Sequence, residues 1–394
     1  MKHQSGRIAL GIGAMILCLL GIVLARGQAG PQRGASTAAQ DGPLMSEQYF
    51  KNVQLLRGIP ADEFMDTMGM FSAATGMNCV DCHVPDAGGD WAKYADDNDY
   101  KRTTRMMIVM MNTLNQSYFG GRRVLTCYSC HNGGRRPRTL PNLVQQYAVE
   151  PPSEPDEFAS QWAGAPAPDR VLDKYVQAVG GAQSLATLTS IVAKGNYKAF
   201  DDYDTSPFEV YAKTPNQRTE IRHSPFGDIT TTYDGRSAWM AAPTEVRPIP
   251  VATLTGGNLQ GAALDAMLCF PGRIKQSLSQ WLSGPINVID GHDVQIVQGN
   301  AGPGAPVKLY FDVETGLLVR SVRYSNSPVG RVPTQIDYSD YREVSGIKLP
   351  FKWISTWTDG RTVFQLESVQ VNAAVDAAKF AKPNPPKPVG AAAR

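Results

Sequence analysis

Two short motifs of identical layout contain the residues of this chain with the clearest chemistry. Each has two cysteines separated by two residues and followed at once by a histidine: Cys79, Cys82 and His83, then Cys127, Cys130 and His131. Thiols three positions apart lie on one helical turn, where each can add to a vinyl group of the same porphyrin. The imidazole that follows then reaches the iron from the same side. This spacing is the attachment signature of c-type haem and predicts two covalent haems.

The same cysteine pairs could build a zinc site or redox disulfides instead. Zinc ribbons usually place their pairs about 15 to 20 residues apart, whereas 44 residues separate Cys82 from Cys127. The histidine after each pair and the signs of export described below favour haem over both alternatives. With four cysteines on haem, Cys269 has no partner and is expected to be a buried, unreactive thiol.

Each haem iron needs a sixth ligand, and methionine is abundant near both motifs. Eight of the 13 methionines fall within 47 residues: Met65, Met68, Met70, Met77, Met106, Met107, Met110 and Met111. Histidine–methionine ligation is typical of electron transfer and raises the reduction potential. No histidine lies between the two motifs, so bis-histidine ligation from within this segment is excluded. The distant His223 and His292 are interpreted as ordinary strand or surface histidines.

Two helices are expected to carry these methionines. The first, residues 61–74, follows Pro60, has an acidic first turn, and places three side chains on one face: Phe64, Met68 and Phe71. The second, residues 100–115, precedes a Gly120-Gly121 turn and groups four more: Met107, Met110, Met111 and Leu114. A helix, a turn and a haem-bearing helix thus occur twice. Most methionine stripes are core filler, and that alternative stays open for the group.

These residues resemble the photosynthetic reaction centre cytochrome c subunit family. The resemblance covers about 80 to 100 residues from Val53 onward and includes L-L-R-G-I-P-A-D-E-F-M, G-M-N-C-V-D-C-H, T-R-M-M-I-V-M-M-N-T-L-N and V-L-T-C-Y-S-C-H-N-G. It implies that a methionine on the preceding helix ligates each iron, which falls on Met68 for the first haem and Met107 for the second, with Met110 as the rival. The family's namesake carries two such haem pairs and this chain has one, so the resemblance implies a two-haem module without implying service to a photosystem.

Charge is distributed unevenly around the two motifs. Nine acids and one base in residues 61–100 give a net charge of 1 − 9 = −8, and eight bases without an acid in residues 101–140 give +8. Positive charge disfavours ferric iron, so the second haem is predicted to have the higher potential. The whole chain carries only +2, which gives no indication of nucleic-acid binding.

The N-terminus and the proline content predict the domain boundaries. Lys2, His3 and Arg7 precede an uncharged stretch, so residues 1–29 are predicted to be a signal peptide or, alternatively, an inner-membrane anchor, followed by a flexible linker at 30–44. The mature protein is therefore expected in the periplasm. The dihaem cytochrome c domain is placed at 45–140, a proline-rich linker at 141–167, a β domain at 168–380 and a disordered tail at 381–394.

The second domain is predicted to be an antiparallel β domain with a few helices. Helices are expected at 169–179, near 258–269 and near 273–282, and strands at 191–199, 208–212, 229–233, 307–311, 317–324, 334–338 and 363–371. Its V-L-D-K-Y-V-Q-A-V-G-G and D-Y-R-E-V-S-G-I-K-L-P-F segments resemble periplasmic lipoprotein carriers such as LolA. That resemblance implies a half-barrel whose concave face offers an apolar pocket; the alternative is a sheet that only scaffolds the haem module.

The sequence therefore predicts an α+β multidomain protein with a mostly α dihaem module and a C-terminal antiparallel half-barrel. We expect an exported electron carrier, not an enzyme, which binds two c-type haems and exchanges electrons with redox partner proteins in the periplasm or at the membrane. The alternatives are a haem enzyme or sensor with one open iron site, and the binding of a hydrophobic ligand by the half-barrel.

Overall fold

The computed structural model describes residues 42–83, 90–148, 157–302 and 306–386. The predicted signal or anchor at 1–29, most of the linker at 30–44 and the end of the predicted tail lie outside these ranges, as does the centre of the proline-rich linker. In the described ranges, no helix is both long enough and apolar enough to cross a membrane. The described residues from Gly42 onward cluster into one compact unit.

The N-terminal part is helical. Its elements are α1 (Ser46–Tyr49), α2 (Ala61–Thr75), α3 (Cys79–Cys82), a 3-10 helix (Trp91–Ala95), α4 (Asp99–Tyr118), α5 (Cys127–His131) and α6 (Leu143–Gln146). The two methionine-bearing helices predicted from the sequence are α2 and α4. Helix α2 follows Pro60 and ends at Gly76, whose φ of 66° only glycine adopts without strain. Asn98 caps α4 by accepting a hydrogen bond from Lys101 N, and Gly120 and Gly121, both with positive φ, turn the chain after it.

The C-terminal part is one large antiparallel sheet with helices packed on it. Its helices are α7 (Pro168–Ala178), α8 (Gly181–Ala186), α9 (Gly256–Leu268) and α10 (Ile274–Ser277). Its strands are β1 (Ser190–Ala199), β2 (Ser206–Lys213), β3 (Gln217–Ser224), β4 (Gly227–Tyr233), β5 (Ala238–Ala241), β6 (Val251–Leu254), β7 (Ser279–Ile289), β8 (His292–Asn300), β9 (Val307–Asp312), β10 (Leu318–Ser327), β11 (Gly330–Val344), β12 (Ile347–Trp357) and β13 (Gly360–Val371).

The sheet consists of two meanders joined in the middle. The strand order is β6-β5-β4-β3-β2-β1-β13-β12-β11-β10-β9-β8-β7, and the pairs have antiparallel registers such as Ile191 opposite Val371. Strands β1 and β13 therefore link the two meanders, and β6 and β7 are the edges. This large antiparallel sheet confirms the coarse fold predicted for the C-terminal part.

Two differences from the sequence prediction have physical causes. The helix expected near 273–282 is only a 3-10 turn (Pro271–Arg273) followed by α10, and β7 begins at Ser279. Leu278 and Trp281 pack over Gly299 of β8, so tertiary packing favours the strand. Strands β3, β5, β6, β8 and β12 were not predicted. Strand β3 is polar, and its Arg218 forms an ion pair with Glu220 at 2.8 Å. A search for alternating apolar residues does not detect such a strand.

The main core lies between the sheet and helices α7, α9 and α10. Leu172, Tyr175 and Val179, which lie in the helix expected at 169–179, are at most 3% exposed. Helix α9 contacts β3, β4 and β5 in one meander and β10 in the other. Side chains from these helices thus pack against strands of both meanders.

The core around α9 also contains charged and polar groups. Arg323 of β10 forms an ion pair with Asp265 of α9 at 3.0 Å. Cys269, partly buried, donates its thiol hydrogen to the Asp265 carbonyl over 3.3 Å, and burial raises the pKa of this thiol. The thiol therefore stays protonated and weakly nucleophilic, in agreement with the unreactive role expected for it.

Acidic side chains of α2 bind the N-terminus of α9. The buried Asp62 carboxylate accepts hydrogen bonds from Thr255 N at 2.7 Å and Thr255 Oγ1 at 2.8 Å. Asp66, one turn further along α2, accepts from Asn258 Nδ2 at 2.8 Å and from Ser325 Oγ of β10 at 2.6 Å. Anionic groups are favoured at helix N-termini, so this contact fixes α2 on the sheet domain.

We predict opposite effects on stability when these two carboxylates are replaced by amides. Burial raises the pKa of Asp66, so the native state binds its proton more readily than the unfolded chain and wild-type stability falls as pH rises through this pKa. Asp66→Asn keeps an acceptor for Ser325 and Asn258 and should be as stable as wild type, or more stable, near pH 7. The stability of this variant relative to wild type should decrease toward about pH 4, where the wild-type carboxyl becomes protonated in both states.

Asp62→Asn is the matched comparison, because it removes a charge that faces the α9 N-terminus. We expect it to lower the free energy of unfolding by about 1–2 kcal/mol. Urea unfolding of both variants across this pH range is the measurement. A large loss of stability in Asp66→Asn near pH 7 would contradict the conclusion that burial raises the pKa of Asp66.

Candidate haem-binding site

The first cysteine pair lies on a single helical turn that is capped at its start. The Asn78 side chain accepts a hydrogen bond from Asp81 N at 3.0 Å, and the Asp81 carboxylate accepts one from Asn78 N at 2.8 Å. Asn98 Nδ2 donates to Cys82 O over 2.8 Å at the other end. A four-residue helix is unstable alone, so these side chains hold the turn in place. Cys79 is exposed and Cys82 partly exposed on it.

The imidazole of His83 is oriented by a backbone carbonyl. His83 Nδ1 lies 3.0 Å from Tyr94 O in the 3-10 helix, and the two rings pack with centroids 4.6 Å apart. Burial lowers the pKa of His83 and so favours the neutral ring. With its single proton on Nδ1 and donated to Tyr94 O, the ring keeps a lone pair on Nε2, as a metal-binding histidine requires.

The second motif also consists of a capped helical turn followed by a histidine whose Nδ1 lies near a backbone carbonyl, but other residues supply the cap and the carbonyl. Thr126 caps α5 by accepting from Ser129 N, and Ser129 Oγ accepts from Thr126 N at 3.0 Å. Helix α5 ends at Asn132, in the left-handed conformation with a φ of 46°. His131 Nδ1 then lies 3.1 Å from Gly134 O in the turn that follows. Both predicted iron-binding histidines therefore have Nδ1 occupied by a carbonyl.

Three of the four motif thiols have raised pKa values. The five cysteines in the described ranges, Cys79, Cys82, Cys127, Cys130 and Cys269, are all free. Burial raises the pKa of Cys79 and Cys82, and it raises the pKa of Cys127 to about 11. Reactive redox thiols have lowered pKa values instead, so these shifts do not favour the redox-disulfide alternative. In the same described ranges, no group of three or more His, Cys, Asp or Glu side chains could hold a bare metal ion.

Apolar side chains are exposed around both motifs. Val80 and Tyr128, each inside a motif, are 49% and 47% exposed, and Met106, Val109 and Met110 of α4 are 61%, 53% and 46% exposed. Such a concentration of exposed apolar groups marks a binding surface. A porphyrin is a large apolar plane, so the thiols, the carbonyl-bound imidazoles and these side chains together fit covalent c-type haem.

The predicted methionine ligands differ in their surroundings. Met68 and Cys127 both pack against a buried cluster that joins α2, α4 and the sheet: Leu56, Met70, Ile108, Met111, Val329 and Val332. Met68, assigned from the sequence to the first haem, thus packs against the same cluster as a cysteine of the second motif. Met107 is partly buried on α4 and Met110 is more exposed, so both thioethers remain candidates. The ligand assignments stay predictions.

The contrast between acidic and basic segments is reduced by ion pairs at their boundary. Arg105 binds Asp97 at 2.7 Å and Arg102 binds Asp99 at 2.5 Å, while Lys101 lies 4.0 Å from Asp97. Each base belongs to the positive segment and each acid to the negative one. The fields of the two segments partly cancel here, which weakens the charge argument for a higher potential at the second haem.

Several residues that position the motifs were not identified from the sequence. The capping residues Asn78 and Thr126 could have been found, because N-x-x-D and T-x-x-S around a short helix are capping patterns. The acceptors Tyr94 O and Gly134 O could not, since any residue supplies a carbonyl and only the fold brings these two to an imidazole.

Helix α2 also contacts the turn after the second motif, although it precedes the first in the chain. Gly133 N donates to Ala74 O over 3.0 Å, and a Cβ on Gly76 would lie 2.6 Å from Gly133 O. We predict that Gly76→Ala lowers the free energy of unfolding by about 2–4 kcal/mol, from left-handed strain plus this clash.

Gly58→Ala is the matched control, because Gly58 has a φ of 74° but no atom within 4 Å of an added Cβ. It should cost only about 1 kcal/mol. Denaturant unfolding of the full chain compares the two. If Gly76→Ala and Gly58→Ala lower the free energy of unfolding equally, the Gly76–Gly133 contact is not tight.

Comparison with solved structures gives distant matches to the C-terminal part. A LolA superfamily protein from Nitrosomonas europaea is 15% identical, covers 55% of this chain and 99% of its own, with a TM-score of 0.38. A DUF1329 family protein from Desulfovibrio piger is 14% identical, covers 54% and 96%, with a TM-score of 0.38. No curated protein matches the chain.

A family model covers the part of the chain that contains both motifs. The match runs over residues 24–163 and therefore includes α2 to α6 with all four motif cysteines. It confirms the resemblance predicted from the motif-bearing segments. Residues 24–163 of this chain match the photosynthetic reaction centre cytochrome C subunit family.

Proposed function

We propose that this protein is an exported dihaem c-type cytochrome that transfers electrons between redox partner proteins. The observation that carries the proposal is the shared geometry of the two motifs. In each, a capped turn presents two thiols, and the following histidine has Nδ1 bound by a backbone carbonyl at 3.0 or 3.1 Å. The match to the reaction centre cytochrome family supports c-type haem and electron transport.

In this proposal each residue has a separate task. Cys79, Cys82, Cys127 and Cys130 hold the two porphyrins covalently, and His83 and His131 bind iron through Nε2. Met68 and Met107 are the proposed sixth ligands, with Met110 as the rival of Met107. When bound, a c-type haem supplies a one-electron iron couple. The chain contributes fixed ligands and a partly apolar surrounding, both of which tune the potential of that couple.

The sheet serves this module as a scaffold. Val329 and Val332, from the turn between β10 and β11 and the start of β11, are buried beside Met70, Ile108 and Met111 of the haem-bearing part. Arg123 donates to Ser327 O at 2.5 Å in the same region. These contacts favour the scaffold alternative, because they join the sheet to both helices that carry the proposed methionine ligands.

Haem stoichiometry is the direct test of the proposal. Protein exported from a host with c-type maturation machinery should contain two covalent haems per chain. Cys79→Ser/Cys82→Ser and Cys127→Ser/Cys130→Ser should each lower the number to one, and the fourfold variant to none, as measured by pyridine haemochrome. A wild-type chain without covalent haem would contradict the proposal.

The methionine ligands are tested by the weak ferric charge-transfer band of iron–methionine bonds. Met68→Ala and Met107→Ala should each remove about half of this band and open one iron site. Met106→Ala is the control, because Met106 is 61% exposed on the same helix as Met107. Loss of the band in Met110→Ala but not in Met107→Ala would transfer the role to Met110. A wild-type protein with a high-spin iron would favour the enzyme or sensor alternative.

A further inference from the structure

Lys101 shares a hydrogen-bond acceptor with the proposed iron ligand of the first motif. Lys101 Nζ donates to Tyr94 O over 2.9 Å, and the same oxygen accepts from His83 Nδ1 at 3.0 Å. A second bond from Lys101 Nζ reaches Asp96 O at 2.8 Å. One carbonyl oxygen thus bridges a fixed ammonium and the imidazole.

The ammonium is held in this place by the surrounding chain. The Lys101 side chain is only 16% exposed, and its backbone N–H is bound by the Asn98 cap at 2.9 Å. Asp97, the nearest carboxylate, lies 4.0 Å away and binds Arg105 more closely at 2.7 Å. The positive charge is therefore partly shielded from solvent and only partly neutralised, so salt screens it less than an exposed charge.

The second motif lacks this arrangement. There the acceptor of His131 Nδ1 is Gly134 O, and within the described ranges no lysine or arginine donates to that carbonyl. Both histidines have a backbone carbonyl on Nδ1. Among the described residues, the structure thus places a charged hydrogen-bond donor on the imidazole partner of the first motif and none on that of the second.

Two effects of Lys101 act in the same direction. An ammonium on Tyr94 O draws electron density from the lone pairs that accept the His83 proton, which weakens that bond and makes the imidazole less electron-rich. The ammonium also repels the extra positive charge of ferric iron through the short path of carbonyl and ring. Both effects disfavour the oxidised state.

We infer that Lys101 is a positioning residue that raises the reduction potential of the haem attached at Cys79 and Cys82. The inference rests on the proposed function, because it requires His83 to bind iron. The distribution of charges along the chain predicts a higher reduction potential at the second haem. The effect of Lys101 would make that difference smaller.

The test is spectroelectrochemical titration of the haem-loaded full chain. Lys101→Gln should increase the ferric-to-ferrous ratio of the first haem about five- to tenfold at a fixed potential, tenfold being about 59 mV for one electron. The second haem should not change. Titration in the Cys127→Ser/Cys130→Ser background identifies the first haem, and Lys101→Arg, which keeps the charge, should shift it less.

Arg102→Gln is the matched control. It removes the same charge from the neighbouring residue, but Arg102 is 57% exposed and bound to Asp99, and within the described part of the chain it makes no hydrogen bond with Tyr94 O. An unchanged or raised potential in Lys101→Gln, or an equal fall in Arg102→Gln, would overturn the inference. Absence of covalent haem at the first motif of the wild-type chain would instead refute the proposed function.

A second variant gives an answer if Lys101→Gln does not fold. Asp97→Asn leaves both bonds of Lys101 Nζ to carbonyls in place and removes its nearest carboxylate, so the first potential should rise. Asp99→Asn, at a 93% exposed side chain paired with Arg102, is its control. If the first haem's potential falls in Asp97→Asn, or rises no more than it does in Asp99→Asn, the inference is also overturned.

Discussion

The contact between the first turns of α2 and the N-terminus of α9 is the constraint on which the arrangement of the molecule depends. Buried carboxylates are tolerated only when their oxygens are hydrogen-bonded, and here Asp62 and Asp66 find donors on α9 and β10. The two acids lie one helical turn apart, so one face of α2 supplies both. Because α2 also packs against α5, the same helix fixes the second motif relative to the sheet.

Close packing of the β10–β11 turn reinforces this contact. Gly330, with a φ of 153°, brings the backbone against Met70 and Thr126, where a Cβ would lie 2.8 Å from the Met70 methyl group. Gly69 of α2 similarly faces Thr358 and Asp359 in the turn between β12 and β13. Small residues at these points let the helices approach the turns closely. The haem-bearing part is therefore supported by two turns of one continuous sheet.

The two motifs illustrate how similar sequences acquire different electrostatic surroundings. Each presents a capped helical turn and a histidine with a carbonyl on Nδ1. The first carbonyl belongs to Tyr94 in a 3-10 helix and is shared with Lys101, whereas the second belongs to Gly134 in a tight turn. The proposed iron-binding residue is a histidine in both motifs, but only the first carbonyl also accepts a hydrogen bond from a described lysine. Differences between the potentials of paired haems can arise from such outer contacts without any change of ligand.

The sequence was sufficient to predict the motif residues, the helices that precede each motif and the antiparallel character of the C-terminal part. These features depend on local spacing: C-x-x-C-H, a period of 3.6 after Pro60, and alternation in strands such as β1 and β9. The folded structure was needed to identify the carbonyl that binds each imidazole, the second bond of the first carbonyl to Lys101, and the hydrogen bonds that join α2 to Thr255 and Asn258. Those contacts join residues up to about 260 positions apart, as between Asp66 and Ser325, through backbone groups and polar side chains that carry no periodic signal. The folded chain alone brings them together.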